Sequence, residues 1–416
     1  MRVYKRQIAA RFFSSGCLVM PFDNKQTPQW SYSLPFALAL MAPFDILASL
    51  AMDIYLPVVP FMPAILQTTP AMVQLTLSLY MVMLGVGQLL FGPLSDRFGR
   101  RPVLIGGGLV FALSSFALAI TDNAAVFVAL RFVQATGASA ALVATFATVR
   151  DVYAARPEGA TIYGLFSAML SFVPALGPIA GALVAKGFGW RAIFATLGLL
   201  GLAVTLRALR HWQETRPAGT APSVGNLRRI VRDFSFWTYT LGFATAMGTF
   251  FVFFSTAPRI LIERGGFGET GFSFAFASVA LVMIAATRVL PRKTQKWGAR
   301  ASVALGMATL LASALLLVLG ETLLAPSFLS LIVPMWLAAV GIVLTASMTA
   351  NGALAAFDDS AGMAVAVYFC IQSLIVSLAG TALVIFLPGD TAWPLITFCT
   401  VMPLLVLALL ARLRQH

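Results

Sequence analysis

The chain has 416 residues, 59% of them hydrophobic and only 10% charged, with a mean hydropathy of +0.89. Soluble domains carry roughly 25% charged residues, so this composition belongs to an integral membrane protein. The net charge of +13 does not mark a nucleic-acid binder, because the basic residues form no stripe and few polar residues remain to build such a surface.

In chain order, residues 1–31 open with MRVYKRQIAARFF, which is basic. The apolar run after it is short and broken by Ser14, Ser15 and Gly16, where a signal peptide needs a longer apolar core and a small-residue cleavage site. This segment reads as a cytoplasmic tail, with a start codon assigned too far upstream as the alternative. Runs of roughly 20 apolar residues mark spanning helices. Twelve are expected, at about 34–57, 71–92, 103–121, 125–148, 161–185, 191–210, 234–258, 272–290, 301–320, 327–349, 362–387 and 393–411. Between the sixth and seventh lies a segment with Pro217, Gly219, Pro222 and Gly225 among four arginines, which reads as a linker. The expected organisation is therefore a tail (1–31), a six-helix bundle (32–211), a linker (212–233) and a second six-helix bundle (234–416), all α.

The first span, LPFALALMAPFDILASLAMDIYLPVV (34–59), carries Asp45 and Asp53. An ionised carboxylate deep in a bilayer costs several kcal/mol, so such residues face a bundle interior or a watery cavity and are functional by default. Eight residues apart, the two lie roughly 12 Å apart along a helix and about 80° around it, so one face can present both to a single cavity. Pro43 removes a backbone donor and invites a kink beside Asp45. Tyr55 and Pro57 place Asp53 nearer the end of the span, where merely meeting water at a helix terminus is the bland alternative to a functional role.

After the second span comes Gly92-Pro-Leu-Ser-Asp-Arg-Phe-Gly-Arg-Arg101. It reads as a very short turn in which Gly99 supplies a positive φ and Asp96 pairs with Arg97, Arg100 or Arg101, or meets a helix dipole. Such a cluster suits a latch, made when two halves close on that side and broken when they part. In the fourth span Arg131 is followed by Gln134 and Gly137; in the fifth, Gly177, Pro178 and Gly181 permit bending and close helix approach.

Twenty-three of the 28 basic residues fall on one side if both termini are inside, which orients the chain with its termini cytoplasmic. A weak repeat supports duplication. Phe98-Gly99-Arg100-Arg101 recurs 199 residues later as Trp297-Gly298-Ala299-Arg300, and Ala180-Gly181 falls at the same offset on Ala379-Gly380. Two parallel six-helix repeats are a known transporter architecture, with the substrate site between them near the midplane. Cys17, Cys370 and Cys399 form no spaced pair. His211 and His416, the only histidines, sit at predicted helix ends, so no disulfide framework, metal or cofactor is expected. No Gly-Lys-Ser/Thr loop is present, so ATP is not the expected energy source.

The Gly92–Arg101 string resembles the signature loop of the major facilitator superfamily. The Arg131 segment resembles that superfamily's buried-arginine motif, with Ala135 where a glycine is usual. Gly177-Pro178 to Gly181 resembles the motif typical of its drug/proton antiporters, with Ala182 replacing a second glycine. MAPFDILASLAMDIYLPVVP (41–60), QLTLSLYMVMLGVGQ (74–88), ATFATVRDVYA (144–154), FFVFFSTAP (250–258) and DTAWP (390–394) are similar to the florfenicol/chloramphenicol exporters, from about Trp30 to the last helix. The resemblance implies proton-coupled efflux of phenicols across the bacterial inner membrane. Asp45 and Asp53 would serve in proton coupling and substrate binding, supported by Arg131.

A buried arginine cannot shed its proton, so Arg131 is expected to seek a negative partner, and Asp45 and Asp53 are the embedded candidates. A neutral phenicol needs aromatic stacking and a few hydrogen bonds. Candidate lining residues are Tyr55, Tyr80, Met83, Met247, Phe250, Phe251, Phe254, Met335, Trp336, Tyr368 and Gln372. The expected partners are a small-molecule phenicol, protons and the lipid bilayer, with no nucleic acid, for a protein read as a monomer. A broader multidrug or metabolite exporter of the same fold is the alternative. A membrane enzyme would need a placed nucleophile or His-Asp pair, and a scaffold or sensor would not need two embedded acids.

Overall fold

The computed structural model describes residues 30, 32–153, 158–216, 227–357 and 361–413. The bulk of the expected tail and the centre of the expected linker lie outside them. Among the described residues the chain is helical without strands. The long helices are α1 (Leu34–Asp53), α2 (Pro70–Phe98), α3 (Arg100–Ile120), α4 (Ala124–Tyr153), α5 (Glu158–Phe188) and α6 (Trp190–His211). They continue as α7 (Phe234–Pro258), α8 (Glu269–Val289), α9 (Pro291–Leu323), α10 (Val333–Leu354), α11 (Ala361–Phe386) and α12 (Trp393–Arg412). Eleven helices among the described residues are long and apolar enough to cross a membrane. The remaining expected span falls on α5, whose described apolar stretch is Phe172–Phe188.

Local chemistry sets the helix ends. Thr69 caps α2 by accepting from the Met72 amide, with Pro70 in the first turn; Asp233 caps α7 by accepting from the Phe236 amide at 2.6 Å. Both use side-chain oxygens to satisfy amides that lack a partner inside the helix. Past Asp53 the chain tightens into a 3-10 turn over Leu56–Phe61, where Pro57 and Pro60 cannot donate to an α-helical ladder.

The expected Gly92–Arg101 turn is shorter than its sequence suggested. Helix α2 runs to Phe98 and α3 starts at Arg100, so only Gly99 breaks the helical path, at φ +105° and ψ 158°. Its counterpart Gly298 has φ +79° and ψ 169° and divides α9 in the same way. A residue with a Cβ rarely adopts such a φ, which accounts for a glycine recurring at this interval.

In packing, the 199-residue offset links Gly107 with Gly306 and Gly181 with Gly380. Helices α3 and α4 approach so closely that a Cβ on Gly107 would lie 2.7 Å from the Gly137 carbonyl oxygen; one on Gly306, in α9, would lie 2.9 Å from that of Gly341 in α10. Gly181 sits on the backbone of Ile54 just past α1, and Gly380 on Phe251 of α7. Small residues that let backbones meet are the usual device for helix association in lipid. Helices α1, α3, α4 and α6 pack among themselves as α7, α9, α10 and α12 do, and the two sets are joined chiefly where α2 meets α11 and α5 meets α8.

Gly107→Val or Gly306→Val should overpack these crossings and lower stability by roughly 1–3 kcal/mol. Gly92→Ala, with nothing within 4 Å of the added carbon, should stay within about 0.5 kcal/mol of wild type. Thermal unfolding in detergent reads both, and an equal response of the three variants would contradict the packing account.

Candidate functional site

The two acids of α1 are both buried, Asp45 at 3% and Asp53 at 5% exposure. Asp45 Oδ2 has no hydrogen-bond partner, and neither carboxylate forms an ion pair among the described residues. Asp53 is the last residue of α1, but the helix does not end at an open surface there. The chain beyond it, from Ile54 to Pro60, stays buried, and Gly177 of α5 packs against the Asp53 Cβ.

Arg131 of α4 is fully buried. The expected pairing with Asp45 or Asp53 is not formed. The guanidinium lies over three aromatic rings, its carbon 4.6 Å from the ring centroid of Tyr80, 5.2 Å from Tyr55 and 5.9 Å from Phe194. Its Nη1 donates to the Ala51 carbonyl at 3.2 Å and to Gln134 Oε1 at 2.5 Å. Gln134 Nε2 in turn donates to Ser115 Oγ at 2.7 Å, which fixes the amide with its oxygen toward the arginine. A cation over an aromatic face gains about 2 kcal/mol or more when desolvated, and three rings lie here where a carboxylate was expected.

At the α2–α3 corner Arg100 is the hub. Its Nη1 meets Asp96 at 2.5 Å and Ser95 Oγ at 2.8 Å, and its Nε meets Asp151 of α4 at 2.7 Å. Glu214, just past α6, accepts from the backbone amides of Arg100 at 2.8 Å and Arg101 at 3.1 Å, and its carboxylate occupies the space a Cβ on Gly99 would need. Arg101 also donates to the Leu209 carbonyl, while Arg97 is exposed. Asp151 and Glu214 were not singled out from sequence. The one ends a helix and the other lies in a stretch that read as linker, so both looked like ordinary surface charges. Every described partner in this cluster comes from α2, α4, α6 or the segment after α6.

The apolar candidates are held in separate contacts. Tyr55 and Tyr80 belong to the arginine cage, and Tyr80 donates to the Ala48 carbonyl at 2.8 Å. Met83 is buried on α2. Phe250 and Phe254 pack on Phe276 of α8, with Met247 half-buried alongside. Phe251 lies on Gly380. Met335 is buried on α10, and Trp336 donates to Ser278 Oγ of α8 at 3.0 Å. Tyr368 stacks on Phe243 and donates to Thr349 Oγ1 at 3.0 Å, while Gln372 accepts from Ser373 at 3.3 Å.

The end opposite the corner carries polar bonds between the two sets of helices. Gln74 of α2 donates to Ser255 of α7 at 3.1 Å, Ser78 of α2 bonds Thr381 of α11, and Ser377 donates to the Ser78 carbonyl at 2.9 Å. Ser273 of α8 donates to the Pro178 carbonyl of α5 at 3.1 Å, which places the Gly177–Gly181 motif between α1 and α8. Gln74 and Ser255 also border a pocket of about 240 Å³ that is walled by Pro60, Pro63, Pro70 and Pro388 and carries Arg259 and Glu263.

The chain is 50% identical over 381 residues, 91% of each protein, to a chloramphenicol resistance protein of Pseudomonas aeruginosa. It is 30% identical over 248 residues, 59% of this chain and 61% of the relative, to the multidrug resistance protein MdtL of Escherichia coli O81 (strain ED1a). Among solved structures, a peptide transporter POT in complex with sulfate superposes with a TM-score of 0.74 over 90% of this chain and 94% of that one, at 14% identity; that likeness is one of fold. The family model of the Major Facilitator Superfamily matches residues 44–410, and the chain therefore belongs to that superfamily of membrane transporters.

Proposed function

We propose that this protein exports phenicol antibiotics across the bacterial inner membrane in exchange for protons, alternating between states open to either side. The observation that carries the exchange is Asp45, a buried carboxylate with an unpartnered oxygen halfway down α1. Burial raises a carboxylate's affinity for protons in general, and an approaching cation lowers it. The drug class rests on the half-identical chloramphenicol resistance protein. A broader multidrug exporter is the second reading, favoured by the likeness to MdtL.

Both termini lie in the cytoplasm in this reading, which the placement of the basic residues supports. Residues 32–211 and 234–416 act as two bundles joined by the linker, in a protein that works as a monomer. The polar bonds at Gln74, Ser78 and Ser273 hold the outer ends together, and the Asp96–Arg100 cluster stays within one bundle, which fits a transporter closed to the outside. On closure at the other face, the cluster would engage the second bundle as a latch.

Cells expressing the chain should gain resistance to chloramphenicol and florfenicol over empty vector, and a protonophore should reverse it. Unchanged susceptibility with well-expressed, membrane-located protein would refute the assignment; resistance spread equally over unrelated cationic dyes would select the multidrug reading.

Asp45→Asn keeps shape and hydrogen bonding but removes the titratable proton. It should abolish uphill, pH-gradient-driven transport in proteoliposomes while leaving drug binding. Asp45→Glu should retain part of the activity and Asp53→Asn should be milder. Wild-type coupling in Asp45→Asn would transfer the role to Asp53.

Asp96→Ala removes one partner of Arg100 without touching α1. Transport should slow about tenfold, or ~1.4 kcal/mol of barrier, with binding by purified protein retained. Equal loss of both would argue against a latch separate from the pocket.

A further inference from the structure

Arg131 poses a problem that the proposed exchange leaves open. Its guanidinium is fully buried, has no carboxylate partner among the described residues, and leaves Nε and Nη2 without hydrogen bonds. We propose that Tyr55 and Tyr80 are positioning residues whose rings serve as the counter-charge of Arg131 in this state, keeping the arginine off the α1 acids. The proposal rests on the proton-exchange reading above.

The geometry supports it on three counts. The guanidinium carbon lies within 6 Å of the Tyr55, Tyr80 and Phe194 ring centroids, the range in which a ring face attracts a cation. The rings are themselves fixed: Tyr80 donates to the Ala48 carbonyl at 2.8 Å, and Tyr55 packs on Phe127 and Phe194. Finally, the bonds Arg131 does make reach only neutral acceptors, the Ala51 carbonyl and Gln134, and Gln134 is anchored through Ser115 to the Phe111 carbonyl. Two edges of the cation are therefore free to take an acceptor when the helices move.

The titratable and charged groups near this cage are few. From α1 and the turn after it come Asp45, Asp53 and Tyr55, and from α2 comes Tyr80. Among the described residues α3 presents Ser115, α4 itself Gln134 and α6 Phe194. The next charges along the aromatic column, past Phe194 and Trp190, are Arg191 and Asp122, which pair with each other at the exposed end. A guanidinium released from the rings thus has Asp53 and Asp45 as its anionic choices on α1. Once seated on either, it competes with the proton there.

The test compares Tyr80→Phe, Tyr80→Leu, Tyr55→Phe and Tyr55→Leu, each with Arg131 intact and with Arg131→Met. In proteoliposomes, chloramphenicol transport is followed across a range of pH, with KM and maximal rate separated. The phenylalanine variants keep a ring and should keep the wild-type pH midpoint. The leucine variants should need more acidic conditions for half-maximal transport, with KM little changed and the rate at neutral pH down about tenfold, as expected for losing one desolvated ring face. Thermal unfolding in detergent gives a readout independent of transport. The loss on Tyr80→Leu should shrink when Arg131 is already methionine, because the cage then holds no cation. A wild-type pH midpoint in both leucine variants would overturn the proposal, as would strictly additive stability losses. Wild-type transport that ignores the proton gradient would instead refute the exchange reading, and the stability cycle would still decide whether the rings hold the cation.

Discussion

Inside a bilayer no solvent compensates a polar group that the fold leaves half-satisfied, so each embedded charge dictates the arrangement around it. Here that constraint acts through one guanidinium with no proton to lose. Five helices bring to Arg131 what it needs: α1 a carbonyl, α2 and α6 ring faces, and α4 an amide braced by Ser115 of α3. The close contacts of α3 with α4 and of α5 with the end of α1, both made possible by glycines, keep these groups in register. Overpacking at Gly177 would therefore disturb Asp53 directly, and overpacking at Gly181 would disturb Ile54, with the arginine reached indirectly.

The two halves of the chain repeat a construction plan but not a chemistry. Gly99 and Gly298 share a left-handed backbone, and Gly107 and Gly306 share a backbone contact. Yet Arg131 and the acids of α1 have no charged counterpart in α7 or α10, whose interior is aromatic and rich in hydroxyls. The duplication preserved what makes helices cross and let one half keep the charges.

Much of this was legible in the residues themselves. Spans were visible because lipid demands long apolar runs, and Asp45, Asp53 and Arg131 stood out because charge in such runs is rare. The glycines at 99 and 298 were visible because a positive φ leaves few alternatives. Two things were not legible. The partners of Arg100 at Asp151 and Glu214 come from distant segments, and no local pattern distinguishes a surface carboxylate from one aimed at a neighbouring corner. The partner of Arg131 was misjudged because counting acids overlooks aromatic faces, which carry no formal charge. The lining candidates scattered for a related reason: with 33 phenylalanines, ring content alone does not separate packing from a pocket.

The cluster at the α2–α3 corner and the bonds that join the two sets of helices at the far end differ in kind. At the α2–α3 corner they are ionic, built on Asp96, Arg100, Asp151 and Glu214, with Arg97 exposed beside them. At the far end the bonds between the two sets of helices join serine, threonine and glutamine to one another or to backbone carbonyls. Neutral hydrogen bonds of this sort are indifferent to dissolved salt, whereas exposed charges are screened over about 8 Å at physiological ionic strength. Anionic headgroups reach a basic corner over a comparable range. The exposed Arg97 at the corner therefore gives lipid composition and ionic strength a charge to act on, while the bonds that join the two sets of helices at the far end give them none.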